Sequence, residues 1–340
     1  MIIESMEQLD DLLSEPTEYV VETLSRLEGD IILLGAGGKI GPSLARMAKR
    51  ASDTAGTSRR VIGVDLFPSG EQERKLQSVG VETLRCDLLN PNEVRALPDA
   101  ANVVFMAGMK FGSTGREALT WAINAYLPGL ICEKYRNSRI VVFSTGNIYG
   151  MTPVSRGGSV ETDVPRPEGE YAMSALGRER IFEYFSCSFG MPAAIIRLNY
   201  ACEMRYGVLL DIARRVFSEE PVDLAMGYAN VIWQGDANAM VLAAFGHASS
   251  PPLALNVTGP EVLSVREVAE RFGSLVGKKP TFAGEECPDA LLSNTQKAYG
   301  LFGRPSITAE RMITWIAEWV MRGGESLEKP THFESRDGRF

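Results

Sequence analysis

Histidine is nearly missing from this sequence. Only His247 and His332 occur, so a metal site built from several imidazoles is excluded. The five cysteines, Cys86, Cys132, Cys187, Cys202 and Cys287, are scattered and form no Cys-x-x-Cys pair. Their odd number and wide spacing suit reduced thiols in a cytoplasmic setting, and no metal is expected. There is no long basic run, and the formal net charge is −8, which argues against nucleic acid as a main partner. No apolar stretch approaches the length of a membrane span, so no membrane association is expected. The opening Met1-Ile2-Ile3-Glu4-Ser5 lacks a signal-peptide pattern. Neither an internal repeat nor a low-complexity segment is evident. What remains is 340 residues of ordinary globular composition, 45% hydrophobic and 23% charged. That length can bury a sizeable core in one large or two intimately joined domains.

The chain is organised around Ile31-Ile32-Leu33-Leu34-Gly35-Ala36-Gly37-Gly38-Lys39-Ile40-Gly41. Four apolar residues read as a short buried strand. The glycines then permit a tight turn, and Ile40, Leu44, Met47 and Ala48 continue at helical spacing. A strand, a glycine turn and a helix N-terminus together make a cradle for a phosphate, because free backbone N–H groups and the helix dipole face the anion. A second strand, Arg60-Val61-Ile62-Gly63-Val64, ends in Asp65. A carboxylate there accepts hydrogen bonds from both adenosine ribose hydroxyls and repels a 2′-phosphate, which favours NAD over NADP.

Strands and helices alternate from residue 30. Strands are expected at 61–64, 81–84, 103–106, 140–143 and 193–196, with long helices at 117–135 and 170–189. Such alternation gives a parallel sheet covered on both faces, with ligands beyond the carboxyl ends of its strands. Before it, residues 5–28 read as two helices, the second started by Pro16, packed on the sheet edge or a partner subunit. After residue 199 the alternation breaks. Helices are expected at 207–217, at 236–247 with Asp236 as cap, at 264–276 with Ser264 as cap, and at 306–321, with a strand at 255–257. The expected fold class is α/β: a Rossmann-type doubly wound parallel sheet with a smaller C-terminal α/β substrate domain. The expected division is a helical extension (1–29), an NAD-binding domain (30–198), a mainly substrate-binding domain (199–325) and a tail (326–340).

Taken together, Gly35–Gly41, Asp65, Cys86-Asp87-Leu88, Phe105-Met106-Ala107-Gly108-Met109-Lys110, Ser144-Thr145-Gly146-Asn147-Ile148-Tyr149-Gly150, Tyr171 and Arg197-Leu198-Asn199-Tyr200 resemble the extended short-chain dehydrogenases/reductases, the NAD-dependent epimerase/dehydratase family. The resemblance covers about residues 30–320. It implies that Gly35, Gly37, Gly38, Lys39, Ile40 and Gly41 cradle the cofactor and that Asp87, beside Leu88, meets the adenine. Ala107 and Gly108 would line the nicotinamide, and Lys110 would approach the phosphates or ribose. Asn124 would support the active site. Ser144 or Thr145 would hold the reacting oxygen of the substrate, Tyr171 would exchange its proton, and Asn147 and Asn199 would contact substrate.

One departure stands out. The family pattern is Tyr-x-x-x-Lys, and here it is Tyr171-Ala172-Met173-Ser174-Ala175. An unassisted phenol, with a pKa of about 10, is a serviceable acid but a poor base at neutral pH. Arg178, two helical turns beyond Tyr171, or Lys110 is expected to replace part of the missing charge; alternatively Arg178 pairs with Glu179 or Glu183. Trp233 either stacks on a sugar face or belongs to the core. Arg156 and Arg166, in the loop before Tyr171, either bind an anionic group or are solvated. The tail after Lys329, with Phe333 and Phe340 as apolar anchors, is either mobile or folded over the cleft or onto a neighbouring subunit. The expected activity is NAD-dependent hydride transfer at a hydroxyl/keto carbon of a sugar or sugar derivative, by an epimerase, dehydratase or dehydrogenase. The alternative is a catalytically weak NAD-binding sensor or regulator. The two long helices are apolar on more than one side, and the resemblance implies that such helices pair across a dimer axis, so a homodimer is expected.

Overall fold

The computed structural model describes residues 3–110 and 112–338; Phe340, expected as an anchor of the tail, lies outside them. Two short helices come first, α1 (Met6–Leu13) and α2 (Glu18–Arg26). Thr17, not Pro16, starts the second: its side chain accepts from the Val20 amide and satisfies one of the orphan donors of the first turn. The alternating part follows: β1 (Ile31–Leu34), α3 (Gly41–Thr54), β2 (Val61–Asp65), α4 (Glu71–Ser78), β3 (Glu82–Arg85), α5 (Pro91–Ala96) and β4 (Asn102–Phe105). Next come α6 (Glu117–Trp121), one π-helical turn (Ala122–Tyr126), α7 (Leu127–Lys134), β5 (Arg139–Thr145), α8 (Gly169–Phe189) and β6 (Ala193–Leu198). Beyond them lie α9 (Val208–Phe217), α10 (Gln234–Ala243), β7 (Leu253–Val257), α11 (Val265–Val276), α12 (Gln296–Phe302) and α13 (Ala309–Met321).

The seven labelled strands form one parallel sheet in the order β7-β6-β5-β4-β1-β2-β3. Chain order reverses between β1 and β4, which opens a crevice at their carboxyl ends. β1 is buried throughout because helices cover both faces. One face packs Ile31, Leu33, Val104 and Val141 against α3 and α10; the other packs Ile32, Leu34, Val103 and Val142 against α7 and α8. A third apolar cluster, around α9, α11 and α13, forms the core of the smaller lobe.

Three further expectations change. The strand predicted at 255–257 belongs to the main sheet, where it runs as β7 beside β6. The register Leu255 to Ile196 and Val257 to Leu198 buries its apolar residues with those of the large core. The N-terminal helices do not cover the sheet edge. α2 packs on α3 and α10, and Leu9 and Leu13 of α1 enter the smaller lobe's core. Asp236 is likewise no cap: it lies inside the first turn of α10 and accepts from Ser306 Oγ at 2.7 Å and the Ile307 amide at 3.1 Å. Among the described residues no helix is long and apolar enough to cross a membrane. All five cysteines are free.

Candidate active site

The glycine turn is built by exclusion of side chains. At Gly35 φ is +98°, and a Cβ would lie 2.6 Å from the Ala107 nitrogen. At Gly41 a Cβ would strike the Ala36 carbonyl. Helix α3 begins immediately after this turn, at Gly41, with no side chain capping its N-terminus. Its first N–H groups therefore face the crevice, the arrangement that receives a phosphate. Asp65, at the end of β2, accepts from the Gly37 amide at 2.9 Å. A Cβ on Gly37 would come 2.9 Å from the Asp65 carboxyl carbon, so that glycine leaves the carboxylate within reach of a ribose. Asp87 is exposed just beyond β3 and accepts from the Leu89 amide, while Leu88 is buried beneath it. These groups fit a dinucleotide: a backbone cradle for its diphosphate, then an acidic residue at each of the next two strand ends.

The crevice opens into a cavity of about 590 Å³ that runs from the glycine turn to the smaller lobe. Tyr171, in the first turn of α8, and Ser144 and Thr145, at the end of β5, line it. The two candidate hydroxyls separate clearly. Ser144 Oγ donates to Glu179 Oε1 at 2.5 Å, inside a buried network. Glu179 pairs with Arg197 at 2.8 Å, and Arg197 donates to the Tyr149 hydroxyl at 2.7 Å. Thr145 instead shares a hydrogen bond with the Tyr171 hydroxyl, and its oxygen accepts from the Asn147 amide at 3.2 Å. Burial pushes the Tyr171 phenol up; Thr145 and the positive charge of Arg178 partly offset this.

Arg178 does not pair with a surface carboxylate. It is buried, and its guanidinium donates to Asn124 Oδ1 at 2.8 Å and to the Phe143 carbonyl at 2.8 Å. Asn124 sits in the π-helical turn, and its amide group donates to the Met109 carbonyl and Ser174 Oγ. Gly108 makes room: a Cβ there would lie 2.7 Å from Arg178 Nη2. A fixed cation thus lies behind the tyrosine although position 175 is alanine. Burial moves Arg178 down to about 10, which leaves it charged at neutral pH. Lys110 Nζ stands 5.9 Å from the centre of the Tyr171 ring, and burial moves it down to about 8.

Other predicted positions are dispersed. Lys39 Nζ lies 3.3 Å from the centre of the Tyr206 ring, and Ile40, Asn147 and Asn199 line the cavity. Asn199 donates to Asn230 Oδ1 at 3.0 Å and the Leu291 carbonyl at 3.1 Å, so it ties the lobes together beneath the site. Ala107 is half-buried behind the glycine turn. Trp233 is corrected to a core residue: it is 3% exposed and packs edge-on against Trp315, with no face left for a sugar. Arg156 pairs with Asp163 on the surface, and neither it nor Arg166 lines the cavity. Sequence reasoning missed Tyr206, Gln234 and Thr331 in the cavity wall, and Glu179 and Arg197 behind it. Arg197 lies in a quoted motif, but nothing local marks its buried partner one helix away.

A family model described as the NAD dependent epimerase/dehydratase family matches residues 31–202. No curated protein matches the chain in sequence. Among solved structures, the fold is similar to the UDP-glucose 4-epimerase of Thermotoga maritima with UDP-glucose, at 18% identity and a TM-score of 0.71, covering 86% of this chain and 99% of that one. It is similar also to the UDP-glucuronic acid 4-epimerase of Bacillus cereus with UDP-glucuronic acid and NAD, at 18% identity and a TM-score of 0.71, again over 86% and 99%. A third is the dTDP-glucose 4,6-dehydratase of Bacillus anthracis with NAD, at 15% identity and a TM-score of 0.70, over 87% and 97%. At these identities the structural likeness speaks for the fold, while the family match spans just over half the chain and includes the glycine turn, Asp65, Tyr171 and the strand ends between them. The chain belongs to the NAD-dependent epimerase/dehydratase family.

Proposed function

We propose that this protein is an NAD-dependent enzyme acting on a hydroxyl/keto carbon of a sugar derivative, with a sugar nucleotide as the substrate class. The observation that carries this reading is the hydrogen-bonded Thr145–Tyr171 pair facing the cavity that the glycine turn opens into. NAD, when bound, supplies a nicotinamide that accepts and returns hydride. Gly35, Gly37, Gly38, Lys39, Ile40 and Gly41 hold its diphosphate, Asp65 its adenosine ribose, and Ala107 and Gly108 border its nicotinamide side. Tyr171 takes the proton from a substrate hydroxyl, or gives it to a carbonyl, and Thr145 holds that oxygen in line. Ser144 keeps Glu179 in place from behind. Arg178 does the electrostatic work that a lysine at position 175 does elsewhere in the family. It favours the phenolate, because a nearby positive charge stabilises the ionised form.

The family match and the bound ligands of the similar structures support this reading. The test is direct. Purified protein is incubated with NAD and candidate sugar nucleotides, and absorbance is followed at the NADH band. A signal that disappears in Tyr171→Phe supports the proposal. NAD uptake without any signal or turnover, across uridine and thymidine sugar nucleotides, would favour a cofactor sensor instead.

A homodimer belongs to the same proposal. Trp121, Tyr126, Met173, Tyr184 and Phe189 are exposed along the run α6 to α7 and along α8. Two such faces pack together in a four-helix interface that removes them from water. Light scattering should give twice the chain mass of 37.2 kDa; a monomer refutes it. Five free cysteines suit a cytoplasmic setting.

A further inference from the structure

The last described residues do not trail into solvent. Thr331 donates through both its amide (2.7 Å) and its hydroxyl (2.6 Å) to Asp211 Oδ2 on α9. Phe333 is 3% exposed and sits in the core of the smaller lobe. Arg336 donates to the Asp289 carbonyl at 2.9 Å and to the Ala225 carbonyl at 3.2 Å, and it pairs with the Asp289 carboxylate. Gly338 then lies against Glu168 and Gly169, where any Cβ would strike the opposing backbone. The segment 329–338 is therefore a strap. It is pinned to the smaller lobe at three points and ends against Glu168 and Gly169, where the Tyr171 helix begins. Lys329 and Thr331, from this strap, line the cavity.

The charge of the cavity wall is lopsided. Among the described residues its lining holds Lys39, Lys110, Arg178 and Lys329 and no carboxylate, in a chain whose net charge is −8. Arg178 is committed to Asn124 and the Phe143 carbonyl. The three ammonium groups converge from three places: the glycine turn, the segment after β4, and the strap. Burial moves Lys39 down to about 7, with Lys110 and Lys329 adding repulsion and Asp211 opposing them. Cofactor diphosphate at the glycine turn accounts for part of this positive field. Lys329 comes from the strap and lies close enough to Lys39 to repel it.

We propose that the strap completes the substrate half of the cavity, with Lys329 acting alongside Lys110 as a specificity residue that binds a phosphate group of the substrate. This rests on the reading given above, that the cavity takes NAD and a sugar nucleotide, and it deepens that reading. A phosphate suits Lys110 and Lys329 better than a carboxylate, since it brings more charge and more acceptor oxygens to the two donors. Phosphate binding also raises the Lys110 pKa from about 8, so it draws a proton onto that ammonium. The groups facing that ammonium are Lys39 and the ring of Tyr171.

The experiment uses the full chain loaded with NAD. UDP and inorganic pyrophosphate are the probes, titrated by calorimetry into the wild type, Lys329→Ala and Lys329→Arg. Lys329 is exposed, so neither substitution disturbs the core. One charge-assisted contact corresponds to about a tenfold change in affinity. Lys329→Ala should weaken UDP by about that factor, and Lys329→Arg should retain most of the affinity. NAD affinity should be the same in all three proteins. UDP should bind more weakly at pH 9 than at pH 7, with proton uptake at pH 8. Unchanged UDP affinity in Lys329→Ala overturns the proposal, as does an equal loss of NAD and UDP, which would assign the lysine to the cofactor. Failure of the NAD-loaded wild type to bind either probe overturns it as well. Failure to bind NAD at all instead refutes the underlying reading.

Discussion

Replacing Arg178 with alanine tests the proposal that this buried guanidinium tunes the Tyr171 phenol. The guanidinium is held by Asn124 Oδ1 and the Phe143 carbonyl, both at 2.8 Å. Removing it leaves Asn124 Oδ1 its second donor, the Met109 amide at 2.9 Å, so the π-helical turn keeps its anchor. The Phe143 carbonyl loses a partner, at a cost of about 1–3 kcal/mol, which a domain of this size tolerates. The electrostatic effect falls on Tyr171, whose ionised form Arg178 favours. An opposite charge nearby lowers a pKa by about 1–3 units. Without it the phenol titrates higher, and activity that needs phenolate is lost first at neutral pH. In the direction that oxidises a substrate hydroxyl, the rising limb of the kcat profile should move up by about 1–2 pH units. At a fixed pH below that limb, the rate should fall about 10–100-fold. The reverse direction, in which the phenol donates its proton, should fall less. Arg178→Lys should recover part of the shift. Single-turnover absorbance at the NADH band, from pH 6 to 10, reads the limb directly, with NAD affinity as the check on folding. A limb that stays in place while NAD still binds would show that Arg178 is scaffolding and that the phenol is tuned elsewhere.

Three shorter predictions follow from other parts of the site. Gly41→Ala places a Cβ against the Ala36 carbonyl; calorimetry should show at least about a tenfold loss of NAD affinity, because the cradle must open to fit it. Arg197→Met strands Glu179, which is 2% exposed, and urea unfolding should show a loss of about 3–5 kcal/mol, partly recovered by adding Glu179→Leu. Lys39 titrates at about 7 when folded against 10.5 in the open chain. The unfolded state therefore binds the extra proton between those values, and the cofactor-free protein gains stability as pH rises from 7 to 9, by at most about 1.4 kcal/mol per unit from this group. Lys39→Met should flatten that slope in urea unfolding; an identical slope would place the titration on another residue.

The sheet was legible in the sequence because five of its first six strands contain a short apolar run closed by a turn, as parallel strands buried on both faces must; the edge strand β3, Glu82–Arg85, is the polar exception. Leu253–Val257 was visible as a strand but not as a member of this sheet. Its partner β6 lies more than fifty residues upstream, and nothing local records a long-range pairing. The glycine turn could be read because each glycine answers a local demand, as Gly35 and Gly41 show. Lys329 and Thr331 could not. Their place in the cavity is set by Phe333 entering a distant core and by Asp211 on another helix. The Ser144 and Thr145 hydroxyls are adjacent in sequence, and only the side on which each projects from β5 separates them. One faces Glu179 behind the sheet edge; the other faces Tyr171.

The same reasoning explains why alanine at position 175 and arginine at 178 belong together. Ala175 is buried against Ile148 and Tyr149, and a lysine stem there would have to displace that packing. Arg178 lies nearly one turn further along α8, and its longer side chain leans back toward the helix N-terminus, which brings the guanidinium to Asn124 and under Gly108. A lysine at 178 would bring a point charge but could not hold both Asn124 Oδ1 and the Phe143 carbonyl with the same planar fork. On the proposed reading, the charge near Tyr171 is carried by a guanidinium fixed by two acceptors. If so, Ala175→Lys alone should add little activity, because the cation it supplies is already present, whereas Ala175→Lys combined with Arg178→Ala should recover part of what Arg178→Ala loses. A double variant no better than Arg178→Ala in its pH profile would break the link between the two positions.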